Sequence, residues 1–146
     1  MIRFDPRDPD FETRVRASFA RQGFMTTLGA RLAHVAPGEV DIHVDHGESL
    51  TQQHGYFHAG VTASIADSAA GYAAMSLFAP GFGVLTSEFK INLLNPAQGS
   101  LLVAEGRVVK PGKLLCICKA DVYGGDSRAH VATGLFTMVA REGLDD

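Results

Sequence analysis

Residues Ala59 to Ala79 read AGVTASIADSAAGYAAMSLFA, and this stretch decides the fold. Its 21 residues contain no proline, are dominated by alanine and other small or apolar types, and are closed by Pro80-Gly81. That is the pattern of a helix with its stop signal. As a helix it would be about 30 Å long, the span of a small domain. It is nearly free of polar groups all round, which marks a helix buried on most sides. The run is apolar enough to raise the question of a membrane span. However, it is rich in Ala, Gly and Ser, carries Asp67 near its middle and has no basic flanks. A buried helix of a soluble domain is the reading, with no membrane partner.

Working outward, Asp10 to Gln22 reads as a short amphipathic helix. Asp10 is the candidate N-cap, Phe11, Val15 and Phe19 recur every four residues, and Gly23 breaks the run. Glu39 to His46 alternates Val40, Ile42 and Val44 against Asp41, His43 and Asp45. This is a strand with one wet face. Beyond the long helix everything reads as strands. Val84 to Leu94 sets Leu85, Ser87, Phe89, Ile91 and Leu93 against Thr86, Glu88, Lys90 and Asn92. Leu101 to Lys110 follows, then a Pro111-Gly112 turn, Lys113 to Tyr123, a Gly124-Gly125-Asp126-Ser127 turn, and Arg128 to Ala140. Short turns between consecutive strands imply antiparallel pairing in a meander. The predicted fold is α+β, an antiparallel sheet enclosing one long helix, with a short helix before it.

At 146 residues, the chain has the length of one domain. A core of that size buries roughly 70 % of the unfolded surface without help from disulfides or metals. Apolar residues make up 46 % and charged residues 20 %, ordinary globular values. Thirteen Lys and Arg against sixteen Asp and Glu leave a formal charge of -3, which offers no general field for nucleic acid. Cys116 and Cys118 lie in an apolar run that reads as a strand, and the expectation is that they point to opposite faces and cannot join. With a charged N-terminus lacking an apolar secretory core, this suggests a reduced, cytoplasmic protein.

Asp67 is the one charged residue of the long helix. A carboxylate in apolar surroundings costs several kcal/mol unless paired or hydrogen-bonded, and no basic residue stands one turn away. Gly60, Ala63, Ser64, Ser68 and Gly71 share its face at helical spacing, so a ligand or another helix can approach the backbone there. The segment before the helix, Thr51 to Gly60, holds two histidines, two glutamines and two glycines. Free N–H groups at the helix start near Gly60 favour developing negative charge, the ingredient of an oxyanion hole. Asp67 follows two turns on.

These residues carry a resemblance. Gln52-x5-His58-Ala59-Gly60-x6-Asp67 resembles the active-site segment of PaaI-like hotdog-fold acyl-CoA thioesterases, and Thr86 to Ala97 resembles the strand that follows the helix in that family. The resemblance implies a sheet wrapped round the helix, homodimers with sites at the subunit interface, often homotetramers, and hydrolysis of an acyl-CoA thioester. It implies no metal and no separate cofactor, coenzyme A being part of the substrate. Carried over, Asp67 is the general base or nucleophile, and the Ala59-Gly60 backbone polarises the thioester carbonyl. His58 supports that loop, and Gln52 orients water or the thioester. Thr86, or Ser87 beside it, supplies a hydroxyl from the partner subunit. The sequence departs from the common His-Gly-Gly in having His-Ala-Gly. A backbone N–H survives that change where φ is negative, while the methyl narrows the acyl tunnel.

The remaining signals are weaker. His43 and His46 face opposite ways on a strand, and the His54 to His58 segment lacks a zincin glutamate, which argues against a metal site. His34, His43 and His130 read as surface or strand-face histidines. Tyr56, Phe57, Tyr72 and Phe78 are core or acyl-pocket lining, Tyr56 and Phe57 being the candidate substrate contacts. Among the cations, Lys90 and the Lys110-Pro111-Gly112-Lys113 turn are candidates for the CoA phosphates, with Arg107 and Arg128 mostly on solvated faces. Two other activities fit the same groove. One is a hotdog hydratase or dehydratase using His58 with Asp67; the other is a non-catalytic acyl-CoA-binding module.

Overall fold

The structure is a computed structural model that describes residues 4–125 and 127–144. Asp126, in one of the expected turns, lies outside the described residues. In chain order the elements are α1 (Phe11–Ala20), α2 (Gly23–Leu28), β1 (Arg31–Ala36), β2 (Glu39–Asp45), α3 (Ala59–Met75), β3 (Phe82–Leu93), β4 (Leu101–Lys110), β5 (Leu115–Gly124) and β6 (Ala129–Glu142). The six strands form one antiparallel sheet in the order β1-β2-β4-β5-β6-β3. The sheet wraps α3, as expected for a hotdog fold.

The small residues of α3 let the sheet come close. Ile65, Ala66, Ala69, Ala70, Ala73 and Ala74 are fully buried. Gly106 of β4 lies against them so closely that an added Cβ would fall 2.3 Å from the Ala69 carbonyl. Burial along the helix is one-sided, however. Ala63, Ser64, Asp67 and Ser68 form a half-buried stripe at i, i+1, i+4, i+5 spacing, the side that the sheet leaves open. Asp67 sits in the middle of that opening.

The helix is 17 residues long rather than 21, about 25 Å at the helical rise. Its end is set from outside. Leu77 and Phe78 donate to the carbonyls of Ala74 and Met75, a tightened last turn. The Arg14 guanidinium, reaching across from α1, donates to Phe78 O at 2.6 Å, Phe82 O at 3.1 Å and Met75 O at 3.4 Å. Asp8 holds that guanidinium with an ion pair of 2.9 Å, and the two side chains are 8 % and 13 % exposed. Asp10 occupies the N-cap position of α1 without a side-chain cap bond; Asp8 Oδ1 accepts the Asp10 N–H instead.

Four expectations need correction. First, α2 and β1 were not foreseen. Gly23 starts a second helix, and β1 has no clean alternation because its register shifts between Leu32 and His34. Second, β3 does not pair with its successor. It crosses to the far side of β6, because β4 is already flanked by β2 and β5. Third, the alternation of β3 is broken by a bulge at Ser87, where the register shifts between Thr86 and Glu88. Thr86 therefore faces the helix side together with Met138, and Phe89 also does, stacked on Phe136 at 5.3 Å. Leu85 is left on the other side of the sheet. Fourth, Cys116 and Cys118 share a face, as positions two apart on a strand must. Both are buried free thiols with Sγ atoms 3.8 Å apart. The hydrogen bond shared with Cys116, and then burial, push the Cys118 thiol up, which keeps it protonated.

Among the described residues no helix is long and apolar enough to cross a membrane.

Candidate active site

The chain enters α3 through a tight loop. Thr51 and Phe57 bridge antiparallel, Gln52 N–H donates to Tyr56 O at 2.9 Å, and Gly55 takes a positive φ of 83° that a side chain would strain. The Gln52 side chain closes this loop from within, its Oε1 accepting the His54 N–H. Phe57 is buried, with its ring edge-on to His46 at 5.0 Å. His58 then caps the helix: its Nδ1 accepts the Gly60 N–H at 2.8 Å. That bond fixes Nδ1 as the unprotonated nitrogen of a neutral ring.

Three sequence-level assignments change here. The Gly60 N–H is not open, because His58 holds it. Among the described residues the Ala59 N–H, one position earlier, has no such partner. The sole described non-glycine residue with positive φ is Arg128, so Ala59 has the negative φ that its methyl requires. The hydroxyl that reaches Asp67 comes from the same chain. Thr86 Oγ1 donates to Asp67 Oδ1 at 2.7 Å, because β3, paired to β6, passes over the open stripe of α3. Within the chain, Ser87 sits at the bulge beside it.

Burial pushes the Asp67 carboxyl above the ordinary aspartate range, and the Thr86 hydrogen bond partly opposes it. A half-buried carboxylate with a raised proton affinity and a donor aimed at one oxygen is the arrangement of a base or nucleophile. His58 does not touch Asp67. Nine residues separate them, about 13 Å along the helix.

Beside the helix start lies a groove of about 410 Å³ lined by Gln52, Tyr56, Phe57, Ala59 and Thr62, with Leu93 to Ala97 and Val131 opposite. Four of the sequence candidates, Gln52, Tyr56, Phe57 and Ala59, converge there. The Leu93–Ala97 wall was missed, although the Asn95-Pro96 break after β3 was the available signal. Within one chain the candidate cations lie away from this groove. Lys110 and Lys113 flank Pro111-Gly112, which lines a separate hollow with Leu77 and Phe78 at the far end of α3. Lys90 lies on the outer face of the sheet and donates to Asn92 Oδ1. The outer-face arginines are matched by acids, Arg107 to Asp41 at 2.6 Å and Arg128 to Glu105 at 2.5 Å.

A helix embraced by an antiparallel sheet, with a half-buried aspartate on its open stripe and a capped, glycine-containing start, defines a hotdog scaffold. The chain belongs to the thioesterase superfamily, whose family model matches residues 54–129. It is accordingly a thioester hydrolase. A thioesterase family protein from Silicibacter pomeroyi is 44 % identical, superposes with a TM-score of 0.89, and is matched over 91 % of this chain and 99 % of its own. The PaaI protein of the E. coli phenylacetic acid degradation operon shares the fold, with a TM-score of 0.83 at 20 % identity over 92 % of this chain and 95 % of its own. The 1,4-dihydroxy-2-naphthoyl-CoA hydrolase of Listeria monocytogenes is 29 % identical over 91 residues, 62 % of this chain and 74 % of that one.

Proposed function

We propose that the protein hydrolyses acyl-CoA thioesters at the start of α3. Asp67 supplies the base or nucleophile, and the helix N-terminus receives the oxyanion. The observation that carries this is Asp67 itself, a carboxylate held half-buried by its helix and oriented by Thr86. A thioester carbonyl is already electrophilic, so the site needs only a donor for the oxyanion and a delivered water or carboxylate. The Ala59 N–H, at the positive end of the helix dipole, is the donor. His58 keeps the turn below it in place by holding Gly60, and Gln52 holds the loop that shapes the groove. Tyr56 and Phe57 line the acyl side. No metal or separate cofactor is required, since the substrate brings its own coenzyme A.

Two copies of the chain make one site. Ala59 and Asp67 are eight residues apart, roughly 12 Å along the axis, too far for both ends to serve one tetrahedral carbon. The edge strand β3 offers the means of closing that gap. Its ladder is open on one side, and Leu85, Phe89 and Leu93 are about half exposed. A second copy pairing there would bring the Asp67 of one protomer to the helix start of the other, and would cover the apolar rim.

The test is free-thiol release from short, medium, long and aryl acyl-CoAs by wild type and Asp67→Asn, alongside the mass in solution. Release by a wild-type dimer or tetramer and its loss in a folded Asp67→Asn supports the reading. Loss of double-bond absorbance from an enoyl-CoA without thiol release would replace it with a hydratase. Saturable binding with no product would leave a binding module.

A further inference from the structure

Ala59 is held between two neighbours that are bonded to each other. His58 Nδ1 accepts the Gly60 N–H at 2.8 Å, so the ring bridges the residues on either side of Ala59 and fixes the backbone between them. Gly60 leaves room for that ring: a Cβ there would lie 2.9 Å from Nδ1 and 3.4 Å from Cε1. The main chain of the clamp is anchored separately. His58 N–H donates to Leu50 O at 2.8 Å, and Phe57 N–H to Ala97 O at 2.9 Å. The ring can therefore leave Gly60 without taking the loop or the fold with it. His58 is exposed, so a proton from solvent reaches it.

The clamp works in one protonation state. Nδ1 has a single lone pair and uses it to accept; with a proton there both ring nitrogens are donors, and Nδ1–H faces the Gly60 N–H. The hollow against the ring is lined by Phe24 and Leu28 of α2, by Ser49, Leu50 and Thr51, and by Val61, none of them charged. Neither α2 nor the segment 94–100 carries an ionisable side chain, and Asp67, the one charge of α3, is about 13 Å along the axis. The loop contributes Glu48, His54 with its Nε2 3.3 Å from Gln53 Nε2, and His46, which is engaged with Gly55 O at 3.2 Å. We infer that His58 is a positioning residue that serves only as the neutral ring: one proton on Nδ1 releases Gly60, and the Ala59 N–H loses its aim. The catalytic consequence rests on the proposed thioesterase site. Acid inactivation then takes two protons, one on Asp67, which ends its role as base or nucleophile, and one on His58, which dismantles the oxyanion donor.

The experiment measures kcat/KM against pH by thiol release from butyryl-, decanoyl- and benzoyl-CoA, with the Gly60 amide followed by NMR in the same buffers. Wild type is compared with His58→Asn, a residue that caps a helix without titrating, and with His58→Ala, which does not cap. The readout is the shape of the profile, whatever its height. The acid limb of wild type should reach a slope of two protons, and that of both variants a slope of one. At neutral pH the alanine variant should fall about tenfold below the asparagine variant, since misplacing a reacting group by about 1 Å costs up to about 100-fold. The Gly60 amide resonance should move with protonation of the His58 ring in wild type and stay in place in His58→Asn. A wild-type limb of one proton, the result if His58 is merely a structural cap, would overturn the inference. So would a second proton that persists in His58→Asn, which would belong to Glu48, His46 or His54. Hydrolysis of none of the three esters defeats the thioesterase reading, and the Gly60 amide then decides the clamp by itself: a resonance that follows the His58 ring supports it, and one that ignores the ring defeats it.

Discussion

The two ends of α3 are built to opposite specifications. At the C-terminal end, Arg14 crosses from α1 to satisfy the closing carbonyls, Asp8 neutralises it, and Ser76 ties the last turn to Gly38 at 2.7 Å. At the N-terminal end there is one local cap, His58 on Gly60, then an exposed Ala59 and an open groove. A helix can leave its N-terminal donors free for a ligand only if its position is secured elsewhere. The rigid end thus permits the open one, and Asp67 sits between them on the side the sheet does not cover.

The sharpest way to break this contrast is at Asp67. Asp67→Asn should lower turnover by about 10²–10⁴-fold, the scale of a lost general base. It should also raise Tm at neutral pH. The Asp67 carboxyl titrates above its unfolded value, so its contribution to stability is present below that value and is lost as pH rises through the folded one. The ionised group is therefore a cost at pH 7, and the gain from asparagine should vanish in thermal melts near pH 3.

Next comes the locked end. Arg14→Met leaves Asp8 buried without its partner and the α3 carbonyls unsatisfied, which should cost about 3 kcal/mol in chemical denaturation. In a chain of this size that is a fall in Tm of roughly 10 °C. Below that temperature kcat/KM should stay close to wild type, because the substitution is a whole helix length from the groove. A large loss of activity in folded protein would tie the two ends together more closely than proposed.

His58→Ala removes the cap at the open end and should cost about 1 kcal/mol of stability. Its effect on turnover should exceed that of Arg14→Met even though its effect on Tm is smaller, and this crossing of effects is the clearest signature of the division of labour. The smallest change belongs to Thr86→Val. Losing the hydroxyl removes the bond that holds the Asp67 carboxyl down. The acid limb of the pH profile should move up relative to wild type. An unmoved limb would detach Thr86 from the titrating group.

Local pattern was enough for the long helix, the strand Glu39–Asp45 with its wet and dry faces, and the later strands. Each depends on chemistry that one segment carries by itself: helix-forming small residues, strict alternation. Asp67, Ala59, Tyr56 and Phe57 stand in one continuous stretch of chain, which is why the sequence could name them together as candidates. What the residue order left open involves partners distant in sequence. The end of α3 depends on an arginine more than 60 residues earlier. The parity of β3 depends on a bulge against β6, which turns Thr86 toward Asp67 and Leu85 away. The placing of Lys110 and Lys113 near the C-terminal end of the helix, within one chain, follows from the direction in which β4 crosses it. That the buried Thr62 hydroxyl finds no partner among the described residues is invisible in sequence for the same reason. Whether a buried polar atom is satisfied depends on every group packed around it, and only the folded chain brings those groups together.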